Sequence, residues 1–370
     1  MSSSWGRNIR ISLFGESHGA SIGVVIDGLP SGYSLDRDRI KELMARRAPG
    51  GASHSTARRE PDHVDIQSGF FRGKTTGTPL CGIIRNTDTR SEDYAQMPLR
   101  PSHGDYTGAV RYSGFGDPRG GGHFSARLTA PLVFAGGVAK EILLAHGITI
   151  GGHIASVGPV EDSSFDPVHL DRSLLQSLSS KPFPVLDGSQ GKRMEGEITA
   201  AKMNLDSVGG VVECAAVGVP AGLGSPIFDG LENTLASLIF GIPAVRGVEF
   251  GLGFEAAKLR GSAHNDPYIL EDGQIKTSTN NHGGIIGGIT SGMPVVVRVA
   301  FKPTPSIART QQTVDMAAMT EAKLEIHGRH DPCVVPRAVP CVEACLALGL
   351  LDSLMEGGNP NGLTGLPRQD

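Results

Sequence analysis

Several things are scarce or missing in this chain, and each absence narrows what it can be. Aromatic residues make up only 5% of 370 residues, with a single tryptophan. The five cysteines (Cys81, Cys214, Cys333, Cys341 and Cys345) are odd in number and show no CxxC pair. That excludes a paired disulfide framework and fits reduced thiols in a cytoplasm. There is no excess of positive charge: a net charge of −4 and a pI near 6.3 argue against a general nucleic-acid binder. The opening MSSSWGRNIR has no apolar signal core. No run approaches the ~18 apolar residues of a membrane span. No glycine loop ends in the Lys-Ser/Thr of a P-loop, and there is no G-x-G-x-x-G. The expectation is a soluble, cytoplasmic protein without nucleic-acid or membrane partners.

What the chain has in abundance is glycine, 51 residues, about twice the usual share. The excess reads as many tight turns and close backbone approaches. Positive charge is local: seven Lys/Arg fall between Arg37 and Arg59 against Asp38 and Glu42. That suits a small, multiply anionic ligand better than a long polyanion.

Strands are expected at residues 9–14, 22–26, 64–71, 80–85, 148–157, 211–219, 244–250 and 294–302. Helices are expected at 36–47 with Asp36 as cap, 125–146 with an interruption at Gly136-Gly137, 171–179, 195–205, 230–240 and 338–356. Two stretches echo one another. Gly28-Leu-Pro-Ser-Gly32 and Gly218-Val-Pro-Ala-Gly222 each follow a strand and precede a helix, about 190 residues apart. A duplicated layer and a coincidence of common turns both fit. With no linker visible, one domain over residues 1–356 and a frayed tail at 357–370 are expected.

Residues 100–130, RPSHGDYTGAVRYSGFGDPRGGGHFSARLTA, concentrate the most site chemistry. They hold His103, His123, four arginines and Gly120 to Gly122, then a helix start whose free N–H groups favour an anion. Gly15-Glu-Ser-His-Gly19 sits between two strands; His18 can act as acid or base near neutral pH, or simply occupy a hairpin turn. Arg46-Arg47 and Arg58-Arg59 are guanidinium forks for phosphate or carboxylate, or a solvated helix end. The glycine loop of Thr277 to Gly288 holds His282, and Lys302-Pro-Thr-Pro-Ser306 offers a lysine and two hydroxyls. His330, Cys333, Cys341 and Cys345 raise zinc, but without a CxxC pair no metal is expected, and the helix cysteines read as core.

In order along the chain, these segments resemble the signatures of the chorismate synthase family. Gly15-Glu-Ser-His-Gly19 is similar to its first, Gly122-His-Phe-Ser-Ala-Arg-Leu-Thr129 to its second, and Arg329-His-Asp-Pro-Cys333 through Val342-Glu343-Ala344 to its third. RREPD, RPSHGDYT, GVPAGLG, SGMP and KPTPSI fall between them in the family's order. The resemblance implies an α/β fold of the α+β type: a large single-domain layered sandwich, helices packed between antiparallel sheets, assembled as a homotetramer. It implies a lyase that converts 5-enolpyruvylshikimate 3-phosphate to chorismate and phosphate by 1,4-anti elimination, using reduced FMN.

Residue by residue, the resemblance implies His18 as acid toward the phosphate, His103 beside the reduced flavin and Asp331 in ring-proton removal. For the substrate it implies Ser17, Arg47, Ser125, Arg127, Arg329 and Arg337. For FMN it implies His123, Phe124, Ser125, Ala244, His282, Lys302, Pro303, Thr304, Pro305, Ser306 and Arg329. The chain departs from many relatives at His123-Phe124, where Arg-Ser is common, so a partly stacking flavin contact is expected there. Ser53 or His54 stands where relatives carry an arginine, and no flavin-reductase segment is present. NADPH is therefore expected to act only indirectly, through an external flavin reductase. A binding protein for an anionic metabolite would keep the arginines but has no use for His18, His103 and Asp331 together. A metal-dependent hydrolase using His18, His103 and His330 differs by its metal content.

Overall fold

The computed structural model describes residues 3–50, 60–88, 98–326 and 331–356. Two five-stranded antiparallel sheets enclose a layer of helices. The first sheet joins β1 (Ser4–Trp5), β2 (Arg10–Gly15), β3 (Ser21–Asp27), β4 (Val64–Ser68) and, after the small hairpin β5 (Phe70–Phe71) and β6 (Lys74–Thr75), β7 (Leu80–Arg85). Its spatial order is β1-β2-β3-β7-β4. The second sheet takes β8 (Thr149–Val157), β9 (Val160–Glu161), β10 (Gly210–Val217) and β11 (Val245–Phe250). Two hairpins and a strand follow: β12 (Tyr268–Glu271) with β13 (Gln274–Thr277), β14 (Ile285–Ile286) with β15 (Ile289–Thr290), then β16 (Val295–Phe301). The second sheet's order is β11-β16-β10-β8-β9. A last hairpin pairs β17 (Gln311–Asp315) with β18 (Thr320–Leu324).

The helices are α1 (Arg37–Arg47), α2 (Asp105–Arg111), α3 (Thr129–Ala145), α4 (Arg172–Ser179), α5 (Gly188–Met203), α6 (Leu231–Ile239), α7 (Gly261–His264) and α8 (Val335–Met355). Helix α3 packs on the first sheet and α8 on the second, and the two pack on each other. Their crossing is close because Gly136 has no side chain: a methyl group there would lie 2.2 Å from the Ala344 Cβ. The glycines expected to interrupt this helix instead let its neighbour in, and α3 runs through them unbroken. Both helices reach the length and apolar composition of a membrane span, contrary to expectation, because Gly, Thr and Pro only punctuate an otherwise apolar stretch. In the fold, 83% and 94% of their spans are buried, as core helices.

The helix layer is pinned by one buried acid. Glu343 of α8 accepts from Arg46 of α1 (2.8 and 3.0 Å), Lys140 of α3 (2.6 Å) and the Gly152 N–H of β8 (3.2 Å). Burial would raise its pKa, but Arg46 and Lys140 outweigh this and hold the carboxyl down at about 2.

The echo at Gly28 and Gly218 extends well beyond the turns. Read from the edge strand inward, both sheets run edge, first, second, fourth, third in order of their long strands. In each half a threonine of the small hairpin clasps the glycine turn. Thr75 Oγ1 donates to Pro30 O (2.6 Å) and accepts from Tyr33 N (3.0 Å). Thr290 Oγ1 donates to Pro220 O (2.7 Å) and accepts from Leu223 N (2.9 Å). The backbone bonds Gly32 N to Thr75 O (2.8 Å) and Gly222 N to Thr290 O (2.9 Å) repeat as well. Chance turns do not share a sheet order and a set of clasps; the two halves follow one plan.

Most expected elements stand within a few residues of their predicted bounds. Helix α5 starts well before residue 195 because the Asp187 carboxylate accepts from Ser189 N (2.7 Å) and caps it. Helix α8 starts at Val335 because Pro336 falls in its first turn, where no N–H is needed. Helix α2 and the β12–β13 and β17–β18 hairpins were not expected. The tail from residue 357, and the loop carrying Ser53, His54, Arg58 and Arg59, lie outside the described residues.

Candidate active site

Between the two halves lies a cavity of about 440 Å3. Equivalent links of the duplicated plan line it. The α1–β4 link gives Arg47 and Pro49, and the matching α6–β11 link gives Ile242 to Val245. The β7–α3 link gives Arg100, His103, Gly120, Phe124, Ser125 and Arg127; the matching β16–α8 link gives Lys302, Thr304, Pro305, Ser306 and Asp331. Helix α8 adds Arg337, Ala338 and Cys341.

Arg47 is 2% exposed, a guanidinium buried at the end of α1. It donates to Asp62 Oδ2 (2.5 Å) and Thr129 Oγ1 (3.2 Å). Its Nε–H is buried and has no partner among the described residues. Arg127 pairs with the other oxygen of the same carboxylate, Asp62 Oδ1, and lies 3.6 Å from Glu60. It also donates from Nε to Asn86 Oδ1 (3.0 Å). Burial first, and then the charge of Arg47, pull the Arg127 pKa down, while Asp62 and Glu60 oppose the fall. Arg337 pairs with Asp331 and donates to Arg47 O (2.9 Å). Burial likewise lowers its pKa, and Asp331 works against this.

Asn86 links this cluster to the five-residue Glu16–Ala20 turn between β2 and β3: its amide donates to Glu16 O (3.0 Å) and Gly19 O (2.8 Å). Ser17 of that turn is buried, and its N–H donates to Gly122 O (3.1 Å). The glycine run threads between the histidines. Gly120 and Gly121 have φ of 60° and 84°, and Gly122 has φ 52°. A methyl at Gly120 would lie 2.5 Å from the His18 ring and 2.9 Å from Ser17 Oγ; one at Gly121 would lie 3.2 Å from the His103 ring. Here only glycine supplies both the conformation and the room.

His103 is held by Asp105. Oδ1 of Asp105 faces His103 Nδ1 (2.7 Å) and accepts from Arg100 Nη2 (2.6 Å), while Oδ2 accepts from Arg100 Nε (2.7 Å). Burial works to raise the Asp105 pKa, yet its bonds to His103 and Arg100 carry it far below the usual carboxylate range. An ionised carboxylate only accepts, so Nδ1 of His103 carries the hydrogen and Nε2 is left for the cavity side.

Apolar residues also line the cavity: Phe124, Ile242, Pro243, Val245 and Phe301, with Ala244 in a left-handed conformation (φ 74°). Phe124 sits in a groove on α2, where a methyl at Gly104 or Gly108 would fall 3.1 or 2.6 Å from its ring. Thr304 Oγ1 is buried without a partner among the described residues. Lys302 donates to Ser102 O, and burial, then the charge of Arg246, lowers its pKa.

Two expected cofactor residues stand away from this cavity. His123 turns outward, Nδ1 on Gly15 O (2.8 Å) and Nε2 on Ser3 Oγ (2.8 Å), so both ring nitrogens are engaged. His282 pairs with Asp266 (2.8 Å) and packs against His264 in the glycine loop. Pro303 belongs to the Lys302–Ser306 segment without lining the cavity. Arg329 and His330 lie outside the described residues. Cys341 and Cys345 are core residues of α8, and Cys333 is buried, which pushes its thiol up to about 12. The residues missed from sequence are Asp62, Asn86, Asp105 and Arg246. Asp105 had a readable signal, two positions after His103; Asn86 had none.

The fold and cavity define an α/β sandwich enzyme built to hold a small polyanion between arginines, with two histidines at the glycine run. The chorismate synthase family model matches residues 9–355. The chorismate synthase of Pyrococcus abyssi is 49% identical over 354 residues, covering 95% of this chain and 97% of that one. That of Dehalococcoides mccartyi is 46% identical over 360 residues, covering 97% and 98%. A crystal structure of chorismate synthase is similar at a TM-score of 0.74 and 31% identity, covering 95% of this chain and 94% of that one. The chain belongs to the chorismate synthase family and is an enzyme, a carbon–oxygen lyase acting on phosphates.

Proposed function

We propose that the enzyme converts 5-enolpyruvylshikimate 3-phosphate to chorismate and phosphate by 1,4-anti elimination, in the shikimate pathway of aromatic amino acid biosynthesis. The observation that carries this reading is the gathering of Arg47, Arg127, Arg337, His103 and Asp331 on one cavity. The substrate's phosphate and two carboxylates need several cations held out of water, and the buried Arg47 and Arg127 with the partly buried Arg337 supply them.

Phosphate leaves poorly unless its developing charge is met by cations and a proton. His18, behind Gly120, gives that proton, and Arg127, tied through Asn86 to the turn that carries His18, holds the leaving group beside it. Ser17 and Ser125 add hydrogen bonds. Asp331, with Arg337 as its ion partner, assists removal of the ring proton. Arg47 and Arg337 orient the carboxylates.

The cavity fits reduced FMN: apolar lining for the ring, and Thr304 with a buried hydroxyl lacking a partner among the described residues. Phe124, Ser125, Ala244, Lys302, Thr304, Pro305, Ser306 and Arg329 would hold it. A reduced FMN held there would supply electron density to the substrate. His103, its tautomer fixed by Asp105, would hold or move a proton at its Nε2 beside that group. NADPH serves only through an external reductase. A cytoplasmic homotetramer with residues 1–356 as one catalytic domain completes the reading; the five free thiols agree with that compartment.

The test is an anaerobic assay with photoreduced FMN. His18→Ala and His103→Ala are each expected to lower kcat by about 100-fold or more, the usual contribution of a positioned acid or base. Wild-type turnover in both variants would remove this site from the reaction.

A further inference from the structure

We propose that Asp62 is a positioning residue for the substrate: its carboxylate sets the spacing and orientation of Arg47 and Arg127, one oxygen to each. This inference rests on the activity proposed above and names a group outside the set that touches substrate in that reading.

Three observations support it. The Asp62 side chain is fully buried and makes both ion pairs at once, to Arg47 through Oδ2 and to Arg127 through Oδ1. Its backbone takes φ 50°, a left-handed conformation that a non-glycine residue adopts only where its surroundings enforce it. Third, Arg47 lines the cavity, and its Nε–H is buried with no partner among the described residues.

The physical role follows from the charges. Two guanidiniums that share a cavity wall repel one another, and burial disfavours both. One carboxylate bridging them cancels the repulsion and fixes their relative geometry, while leaving other N–H edges toward the cavity. Glu60 lies 3.6 Å from Arg127, farther than the Asp62 carboxylate. The Glu60 oxygens are occupied by Thr87 N (3.2 Å), Thr87 Oγ1 (2.9 Å) and Asp88 N (3.2 Å). Asp62 is therefore the group that couples the pair. Since Arg127 is also bonded to Asn86, and Asn86 to the turn of Ser17 and His18, the spacing set at Asp62 reaches the proton donor.

The experiment compares Asp62→Asn, Asp62→Glu, Arg127→Lys and the Asn/Lys double variant. Substrate affinity is read calorimetrically without flavin, flavin affinity by FMN fluorescence, and kcat and KM in the anaerobic assay. Asp62→Asn should raise the substrate Kd and KM by at least tenfold and lower kcat, with FMN affinity within about threefold of wild type. Asp62→Glu, which keeps the charge, should recover part of the affinity. The double variant should lose less than the product of the single losses, because Asp62 acts through Arg127. A folded Asp62→Asn protein with wild-type Kd and kcat/KM overturns the proposal, as does a loss that multiplies fully with that of Arg127→Lys. If Asp62→Asn does not fold, wild-type substrate affinity in Asp62→Glu overturns it instead. A wild-type protein that neither binds nor turns over this substrate refutes the activity itself, a result distinct from any of these.

Discussion

The two halves of this molecule share a strand order, a threonine clasp and a central helix, yet they contribute differently to the cavity between them. In the first half, β2 and β3 are joined by a short turn that carries Ser17 and His18 to the glycine run. In the second, the equivalent strands β8 and β10 are separated by α4 and α5, and α4 packs against β8. The same position is thus a turn carrying Ser17 and His18 in one half and a helical insertion in the other. Guanidiniums and histidines come mainly from the first half; Ala244, Lys302, Thr304 and Ser306 come from the second. The frame is symmetric, and the residues proposed to act stand where the symmetry is broken.

The seam between the halves gives the largest expected effect. Glu343 of the second half neutralises Arg46 and Lys140 of the first, so Glu343→Gln leaves two partly buried cations with too little counter-charge. A loss of about 3–5 kcal/mol in unfolding free energy is expected by denaturant titration. The sign with pH follows from the depressed pKa: the stabilisation is present above the unfolded value near 4.5 and fades as pH falls toward about 2. A loss below 1 kcal/mol would mean the halves are joined by apolar packing alone.

The helix crossing comes next. Gly136→Ala puts a methyl against Ala344, and overpacking there should cost about 1–3 kcal/mol in a region where alanine is otherwise the better helix former. An increase in stability would show that α3 and α8 have room to separate.

The clasps sharpen the symmetry itself. Thr75→Val and Thr290→Val each leave a buried N–H and C=O unpaired, at about 1–3 kcal/mol apiece. If the two halves follow one plan energetically as well as geometrically, the two losses should agree within about 1 kcal/mol.

The smallest effect is confined to the second half. His153 is buried between Asp162 (3.0 Å) and Glu213 (2.8 Å). Burial lowers its pKa, but the two carboxylates outweigh it and raise the value. Its contribution is therefore full below the unfolded pKa near 6.5 and is lost as pH rises through the raised value. Thermal melts of wild type should decline over that window, and His153→Gln should flatten the decline.

Much of this was legible in the sequence because it is written locally. Asp36 before an apolar stripe caps α1 as expected, and the glycine–proline turns announce the repeated unit. Arg47, Ser125, Arg127, Asp331 and Arg337 fall on one cavity because each sits in a motif whose spacing is constrained. What was not legible depends on long-range contacts. Asn86 is an ordinary residue at a strand end until Arg127 and the Glu16–Gly19 turn close around it. Asp62 drew less notice than the arginines beside it, although it is the residue that couples Arg47 to Arg127. His123 and His282 attracted attention as titratable rings beside glycines, but Gly15, Ser3 and Asp266 hold them elsewhere. Gly136 and Gly137 read as a helix break, since a sequence does not reveal which neighbour needs the space.

The central claim is that this cavity eliminates phosphate with the help of reduced flavin. The most direct measurement is phosphate release from 5-enolpyruvylshikimate 3-phosphate by the wild-type protein under strict anaerobiosis, with and without photoreduced FMN. The account predicts one phosphate per chorismate formed, and only with reduced FMN present. No phosphate release with the reduced cofactor, or equal release without it, would contradict it.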